Sequence, residues 1–126
     1  MASLKLELVE AKLTRDVEIF GRMDPYVIIR TPYQEWRSKT CNSGGKFPRW
    51  NSQYFFAQER GLLSNVKIIC MEEDLLKSTL IGETEIPMAD FCKGNGVDLW
   101  VEIFWKKGSS GKIRFKTTYK EKVASE

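Results

Sequence analysis

The sequence predicts an all-β fold, an eight-stranded antiparallel β-sandwich with at most a short helical turn. Three observations support this. Apolar residues recur at every second position, the segments are rich in β-branched and aromatic side chains, and turn-forming residues separate them. Short strands with such turns are typical of antiparallel sandwiches rather than parallel α/β sheets. Since 126 residues suffice for one hydrophobic core, we expect a single domain over residues 1–122 and a tail over 123–126.

The strand segments follow one another along the whole chain. The first alternates Leu4, Leu6 and Leu8 with polar residues, and the last alternates in the same way over Ile113–Tyr119. The segments between them are Tyr26–Arg30, Trp36–Thr40, Gln53–Gln58, Val66–Met71, Gly82–Ile86 and Leu99–Phe104. The stretches NSGGKFP, ERG, CKGNG and KKGSSG are predicted turns. The stretch MADFC, after Pro87, is predicted to form the one helical turn.

The composition excludes several classes of protein. The chain has no histidine, which removes histidine-based catalysis and most zinc or iron sites. Cys41, Cys70 and Cys92 fit neither a disulfide framework nor a zinc pattern, so we expect reduced thiols with Cys70 in the core. No apolar run approaches the roughly 20 residues of a membrane-spanning helix, and the first residues do not form a secretory signal. We therefore expect a cytoplasmic protein whose membrane contact is peripheral.

The sequence does not predict an enzyme. It shows no nucleophile with an adjacent base, and NSGGK lacks the spacing of a phosphate-binding loop and precedes Pro48 rather than a helix. We expect a non-catalytic binding module without a small-molecule substrate. Aromatic side chains could stack on bases, but we expect core packing and no nucleic acid partner. These aromatic residues are Trp36, Trp50, Tyr54, Phe55, Phe56, Trp100, Phe104 and Trp105.

The segment GRMDPYVIIR resembles the loop-to-strand signature of C2 domains, β-sandwich modules that bind phospholipids, often through calcium. Three further stretches are similar to C2 segments in the same order: KTCNSGGKFPRWNSQYFF, VKIICMEEDLLKSTLIGE and LWVEIFWKKGSSGKIRFKTTY. The resemblance covers nearly the whole chain and implies that Trp50, Phe55 and Phe56 pack in the core. Because the chain starts on the strand before the first loop, it also implies the phospholipase-type (type II) topology, as in small single-domain elicitor-responsive C2 proteins of plants.

The resemblance also implies that the first and third loops meet at one end of the sandwich, where carboxylates hold calcium. Glu18 and Asp24 match the ligand positions of the first loop, but those of the third loop fall on Met71, Glu73 and Thr79. A thioether and a neutral hydroxyl are poor partners for a hard cation that takes six to eight oxygens. We expect at most one weak calcium ion, at Glu18, Asp24 and Glu73, and favour none. A slipped third loop would recruit Glu72 or Asp74, and Asp16 lies nearby.

The same two loops carry apolar residues that the resemblance assigns to membrane insertion. These are Ile19 and Phe20 in the first loop, and Leu75 and Leu76 in the third. Each is worth about 1.5 to 3 kcal/mol when fully buried, which suffices for reversible adsorption without calcium. Met23 is expected to point inward. The alternative is that some of these side chains close the core or contact a protein.

Basic residues supply a further candidate surface. Arg37, Lys39, Lys46 and Arg49 lie on or beside the strands that carry the family's groove for phosphoinositides, an anionic-lipid binding site. Lys112, Arg114, Lys116 and Lys120 point off one face of the last strand. Each basic residue near an anionic bilayer contributes about 1 kcal/mol. The alternative for such residues is a solvated face that keeps strand edges from pairing.

Two functions remain open at this point. The first is peripheral binding of anionic phospholipid membranes with weakened or absent calcium dependence. The second is a calcium-independent structural adaptor that docks into a larger protein assembly, membrane-associated or cytoskeletal. The missing third-loop ligands shift weight toward the second, because one fold supports both roles.

Overall fold

A computed structural model describes residues 2–56 and 64–121. Within them, the chain forms eight strands and one 3-10 helix, which confirms the all-β fold and the single helical turn. The strands are β1 (Ala2–Leu13), β2 (Pro25–Arg30), β3 (Glu35–Arg37), β4 (Arg49–Phe56), β5 (Asn65–Glu72), β6 (Thr79–Pro87), β7 (Asp98–Trp105) and β8 (Gly108–Glu121), and the helix spans Met88–Phe91. The predicted turn ERG, the end of the predicted strand Gln53–Gln58 and the tail lie outside the described residues. No helix among the described residues is long and apolar enough to cross a membrane.

The strands form two antiparallel layers. Hydrogen bonding gives the order β3-β2-β5-β6-β7-β8-β1-β4. The β6–β7 junction is registered only at Glu83 and Phe104, so β3-β2-β5-β6 forms one layer and β7-β8-β1-β4 the other. The first strand lies between β8 and β4, with Leu13 opposite Gly111 and Ser3 opposite Lys120. This neighbouring of the first and last strands is the topology that the resemblance implied.

The core lies between the layers. Leu6 and Phe115 from one layer and Ile29 and Ile68 from the other are fully buried, as the period-two alternation predicted. Cys70 is also fully buried, and burial raises the pKa of its thiol to about 12. At the edge strands, the Trp36 and Tyr54 rings stack with centroids 5.2 Å apart. The stacked pair connects β3 to β4 across the sandwich.

The structure corrects some of the predicted details. The segment Trp36–Thr40 is a strand only to Arg37, because the Ser38 hydroxyl accepts the Val27 N–H that a strand carbonyl would otherwise take. Phe55 was expected in the core but is 66% exposed, since Phe56 takes the inward position on β4. Phe104 is likewise exposed on the outer face of β7.

Candidate functional site

Three loops meet at one end of the sandwich. They are loop 1 (residues 14–24), loop 2 (residues 38–48) and loop 3 (residues 73–78). Loop 1 joins the other two through backbone contacts: the Gly45 N–H donates to the Met23 carbonyl at 3.0 Å, and the Glu73 N–H to the Asp24 carbonyl at 2.9 Å. The Ser43 N–H also donates to the Asp24 carboxylate at 2.6 Å. Loop 1 is therefore held between loops 2 and 3.

Large apolar side chains project from these loops. Ile19 and Phe20 are each 86% exposed, Leu75 is 100% exposed and Leu76 is 95% exposed. The structure thus brings the predicted insertion residues to the same end. Met23 is fully buried, as expected.

Sequence reasoning missed a further apolar residue at this end. Phe47 in loop 2 is 70% exposed, and it lines a cleft with Gly21 and Arg22 of loop 1. The position of this phenylalanine beside Pro48 in a glycine-rich turn could have predicted an exposed apolar side chain. We name the five residues Ile19, Phe20, Phe47, Leu75 and Leu76 the apolar tips.

Glu72 is the acid that lies between loops 1 and 3. It continues the inward alternation of Ile68 and Cys70, so its carboxylate is buried and accepts the Asp24 N–H at 2.5 Å. Burial raises the pKa of Glu72, and a hydrogen bond with the Glu18 carboxyl raises it further. The position counted from the resemblance was Glu73, one residue away.

The other predicted ligands are already engaged within the protein. Glu73 forms an ion pair with Arg37 at 2.7 Å, and the Arg37 guanidinium lies 3.9 Å from the centre of the Tyr26 ring. The Glu18 carboxylate accepts two N–H groups of its own loop, from Ile19 and Phe20, at 3.1 and 3.3 Å. The Asp16 carboxylate accepts the Glu18 N–H, and the Asp74 carboxylate accepts the Leu75 N–H.

Two of the basic residues predicted for one groove lie on strands of different layers. Arg37 belongs to the outer face of β3 and is paired with Glu73, whereas Arg49 on β4 is paired with Glu10 of β1 at 3.0 Å. Lys39 is exposed beside β3, and Lys46 is exposed in loop 2. The binding of anionic lipid by these four residues stays a prediction.

On the last strand, Lys112, Lys116 and Lys120 are exposed, as the alternation predicted. Arg114 differs from them, because it pairs with Glu10 at 2.9 Å and with Asp98 at 2.8 Å.

The comparisons with known proteins identify the family. The model of the C2 domain family matches residues 2–103. This chain belongs to the C2 domain family. The 16 kDa phloem protein 2 of Arabidopsis thaliana is 29% identical over 87 residues, which cover 68% of this C2 chain and 58% of the relative. Synaptotagmin-5 of Arabidopsis thaliana is 30% identical over 105 residues, covering 79% of this chain and 18% of the relative.

Solved structures confirm the fold of this C2 domain. The C2A domain of plant extended synaptotagmin 1 superposes with a TM-score of 0.85 at 14% identity, covering 97% of this chain and 96% of that one. A C2 domain-containing protein from a putative elicitor-responsive gene gives 0.79 at 23% identity, covering 98% and 91%. The calcium-bound C2A and C2B domains of extended synaptotagmin 2 give 0.80 at 22% identity, covering 94% and 45%.

Four acidic residues, Glu18, Asp24, Glu73 and Asp74, line one cleft between loops 1 and 3 of this C2 domain, together with Arg37. Within residues 2–56 and 64–121, no three acidic, histidine or cysteine side chains converge to hold a metal ion. Calcium takes six to eight oxygens, usually from several carboxylates at once. Here Glu73 is bound to Arg37, and Glu72 is buried against Glu18 with a raised pKa. A calcium ion in this cleft would compete with Arg37 for Glu73.

Proposed function

We propose that this C2 domain binds membranes peripherally through its apolar tips and does not require calcium. The supporting observation is the gathering of five large, exposed apolar side chains on three adjoining loops. Soluble proteins rarely expose such clusters without a binding role. Each side chain is worth about 1.5 to 3 kcal/mol at full burial, so two or three inserted side chains suffice for reversible adsorption.

Exposed basic side chains beside the apolar tips can contact an anionic bilayer, although residues 14–24, 38–48 and 73–78 together carry as many acids as bases. Arg22 in loop 1, Lys46 in loop 2 and Lys77 in loop 3 are exposed beside the tips. A basic side chain near an anionic surface contributes about 1 kcal/mol, and salt screens this contribution. Among the acids of the same loops, Glu73 is paired with Arg37, which competes with calcium for this carboxylate.

In this role the domain is a non-catalytic module at the cytoplasmic surface of a membrane. Cys41, Cys70 and Cys92 are free thiols, which agrees with a reducing compartment. The relatives in which such a domain is part of a longer chain suggest that its location serves attached or associated proteins.

A structural adaptor is the second candidate function. The three loops are fixed to one another by direct hydrogen bonds, so the exposed tips form a preorganised surface. Such a surface also suits an apolar pocket on a protein of a membrane-associated or cytoskeletal assembly. In that case the tips contact protein instead of lipid.

Vesicle sedimentation distinguishes the two functions. We expect the domain to sediment with vesicles that contain phosphatidylserine or phosphoinositides, more weakly with phosphatidylcholine alone, and less as salt increases. Absence of binding to every vesicle, together with co-purification in a large complex, would support the adaptor and contradict membrane binding.

Sedimentation with chelator and calorimetry test whether the domain binds calcium. Because Arg37 and the loop N–H groups engage the carboxylates, we expect equal sedimentation in calcium and in chelator, and no heat of calcium binding by calorimetry below the millimolar range. Sub-millimolar binding that disappears in Asp24→Asn would contradict this prediction.

A further inference from the structure

The β7–β8 hairpin reaches the same end of the sandwich as the three loops. The Thr14 N–H at the start of loop 1 donates to the Ser110 carbonyl at 2.9 Å. The Arg15 guanidinium in turn donates to the Leu80 carbonyl at 2.6 Å, close to where loop 3 enters β6. The tip of the hairpin carries Lys106 and Lys107, which are both exposed. The end that bears the apolar tips therefore has a fourth, cationic projection.

Two tryptophans of β7 each lie against two cations. The Trp105 ring centre is 3.7 Å from the Arg15 guanidinium and 4.4 Å from the Lys106 ammonium. The Trp100 ring centre is 5.0 Å from the ammonium of Lys12 and 5.1 Å from that of Lys112. We name as the hairpin strip Lys12, Trp100, Lys106, Lys107, Lys112 and, on the opposite face of β7, Trp105.

The lysines of the hairpin strip keep their charge available. Among residues 2–56 and 64–121, no ion pair joins any of these lysines to an acid. Glu102 lies opposite Lys112 in the strand register but forms no such pair. In contrast, Arg37 and Arg49, which were predicted to bind lipid, are both neutralised by glutamates. The hairpin strip is thus a stronger candidate binding site for an anionic partner than the predicted groove.

We propose that the hairpin strip binds the anionic headgroups of the bilayer into which the apolar tips insert. This inference rests on the proposed membrane function. Two features select lipid as the occupant: the positive charge of the strip, and its continuity with the tip-bearing end through the Thr14–Ser110 contact. Tryptophan is also enriched at membrane interfaces, where its apolar ring and polar N–H suit the headgroup region.

A charge-matched pair of variants tests the inference. The strip variant is Lys106→Gln/Lys107→Gln/Lys112→Gln. The control variant is Lys5→Gln/Lys116→Gln/Lys120→Gln, which removes the same charge from β1 and β8 farther from the loops. Lys120 lies opposite Ser3, whereas Lys112 lies opposite Lys12. Since the attraction decays within a Debye length of about 10 Å at 0.1 M salt, only the strip variant loses direct headgroup contacts.

The readout is the partition coefficient onto phosphatidylcholine vesicles with and without phosphatidylserine, with the melting temperature as the folding control. We expect the strip variant to bind anionic vesicles at least about tenfold more weakly than wild type, and the control variant within about threefold of wild type. Equal affinity of the strip variant and wild type, or equal losses in both variants, would overturn the inference. Equal affinity is also the result expected if the strip binds an acidic protein.

Failure of the inference differs from failure of the proposed function. If wild type binds vesicles, Phe20→Ser/Leu75→Ser abolishes binding and the strip variant binds like wild type, the headgroup assignment is wrong and the membrane function stands. If wild type binds no vesicle of either composition, both proposals are wrong.

Discussion

At the residue scale, Glu72 is the buried acid at the end of the sandwich where the three loops meet. Its carboxyl is buried where β5 meets loop 3, between the Asp24 N–H and the Glu18 carboxyl. Burial disfavours the charged form, and the nearby charges of Glu18 and Asp24 act in the same direction. The pKa of Glu72 is therefore raised, although the Asp24 N–H partly opposes the shift.

This raised pKa makes stability depend on pH in a defined direction. Between the ordinary and the raised pKa, Glu72 is protonated to a greater extent in the folded protein than in the unfolded chain, so its contribution to stability is full below the ordinary glutamate pKa and is lost as the pH rises through the raised pKa. Glu72→Gln can accept the Asp24 N–H and donate to Glu18 without ionising. We expect it to increase the free energy of unfolding at pH 7 by about 1 kcal/mol, the net worth of one hydrogen bond.

Urea denaturation at pH 4 and pH 7 measures this effect. We expect the difference between the two proteins to be smaller at pH 4, because about two-thirds of an ordinary glutamate is protonated there in the unfolded chain, and a larger fraction of Glu72 in the folded one. Lower stability of Glu72→Gln at pH 7 would show that the carboxylate is needed in its ionised form.

The sequence predicted which residues lie at the end of the sandwich where the loops meet. It predicted less well which hydrogen-bond and ion-pair partners these residues have. Counting from the family pattern selected Glu73, while the inward alternation of β5 selects Glu72. The pairing of Arg37 with Glu73 could not be predicted, because the residues are distant in sequence and meet only through the contact of β3 with loop 3. Phe47 was not predicted, because the resemblance assigned membrane insertion only to the first and third loops.

At the element scale, Arg114 ties three strands together on the outer face of one layer. From β8 it reaches Glu10 on β1 and Asp98 on β7, and Glu10 also accepts Arg49 of β4. Hydrogen bonds from Arg114 are the main reason that the pKa values of Glu10 and Asp98 are lowered. Networks of this kind contribute more than isolated surface pairs.

Arg114→Gln is expected to lower the melting temperature at neutral pH, with a loss that shrinks as the pH falls. Because the folded pKa values of Glu10 and Asp98 are depressed, their contribution is present above the unfolded values and is lost as the pH falls through the folded ones. Thermal melts from pH 7 down to pH 2 measure this. Arg30→Gln, which removes a single exposed pair with Glu35, is the control and should change little. A loss that is independent of pH would contradict the account.

The β7–β8 hairpin depends on a glycine where β8 crosses the end of β1. Gly111 has φ of +133°, and a Cβ there would lie 2.4 Å from the Lys12 carbonyl oxygen and 2.7 Å from the Leu13 Cα. Backbone atoms cannot move aside as a flexible side chain can. Alanine at this position would therefore force β1 and β8 apart.

Gly111→Ala is expected to lower the free energy of unfolding by about 3 kcal/mol or more, from overpacking and backbone strain together. Gly108→Ala in the same hairpin is the matched control, because no atom lies within 4 Å of its added Cβ. It should change stability by less than about 0.5 kcal/mol. Similar stabilities of the two variants in urea denaturation would show that β1 and β8 approach less closely than described.

Period-two alternation located the strands, but tertiary contacts set their ends. β1 continues to Leu13 because β8 pairs with it over nearly its whole length. β3 ends at Arg37 because the Ser38 side chain replaces a ladder contact with Val27. Neither effect can be read from a single segment, since both depend on a neighbouring strand.

At the scale of the whole molecule, the sandwich places separate loops and one hairpin at a common end. Family resemblance, rather than composition, predicted that the first and third loops meet. The hairpin strip was not predicted, because Trp100 and Trp105 were interpreted as core aromatics. Both are partly exposed, and each lies between cations that come from different segments of the chain.

The central claim is that the apolar tips are the surface that enters the membrane. The most direct test compares Phe20→Ser/Leu75→Ser with Phe55→Ser, which removes an exposed phenylalanine from the outer face of β4. We predict that the tip variant partitions onto phosphatidylserine-containing vesicles at least about tenfold more weakly than wild type, with an unchanged melting temperature, and that Phe55→Ser binds like wild type. Equal partitioning of the tip variant and wild type would contradict the account.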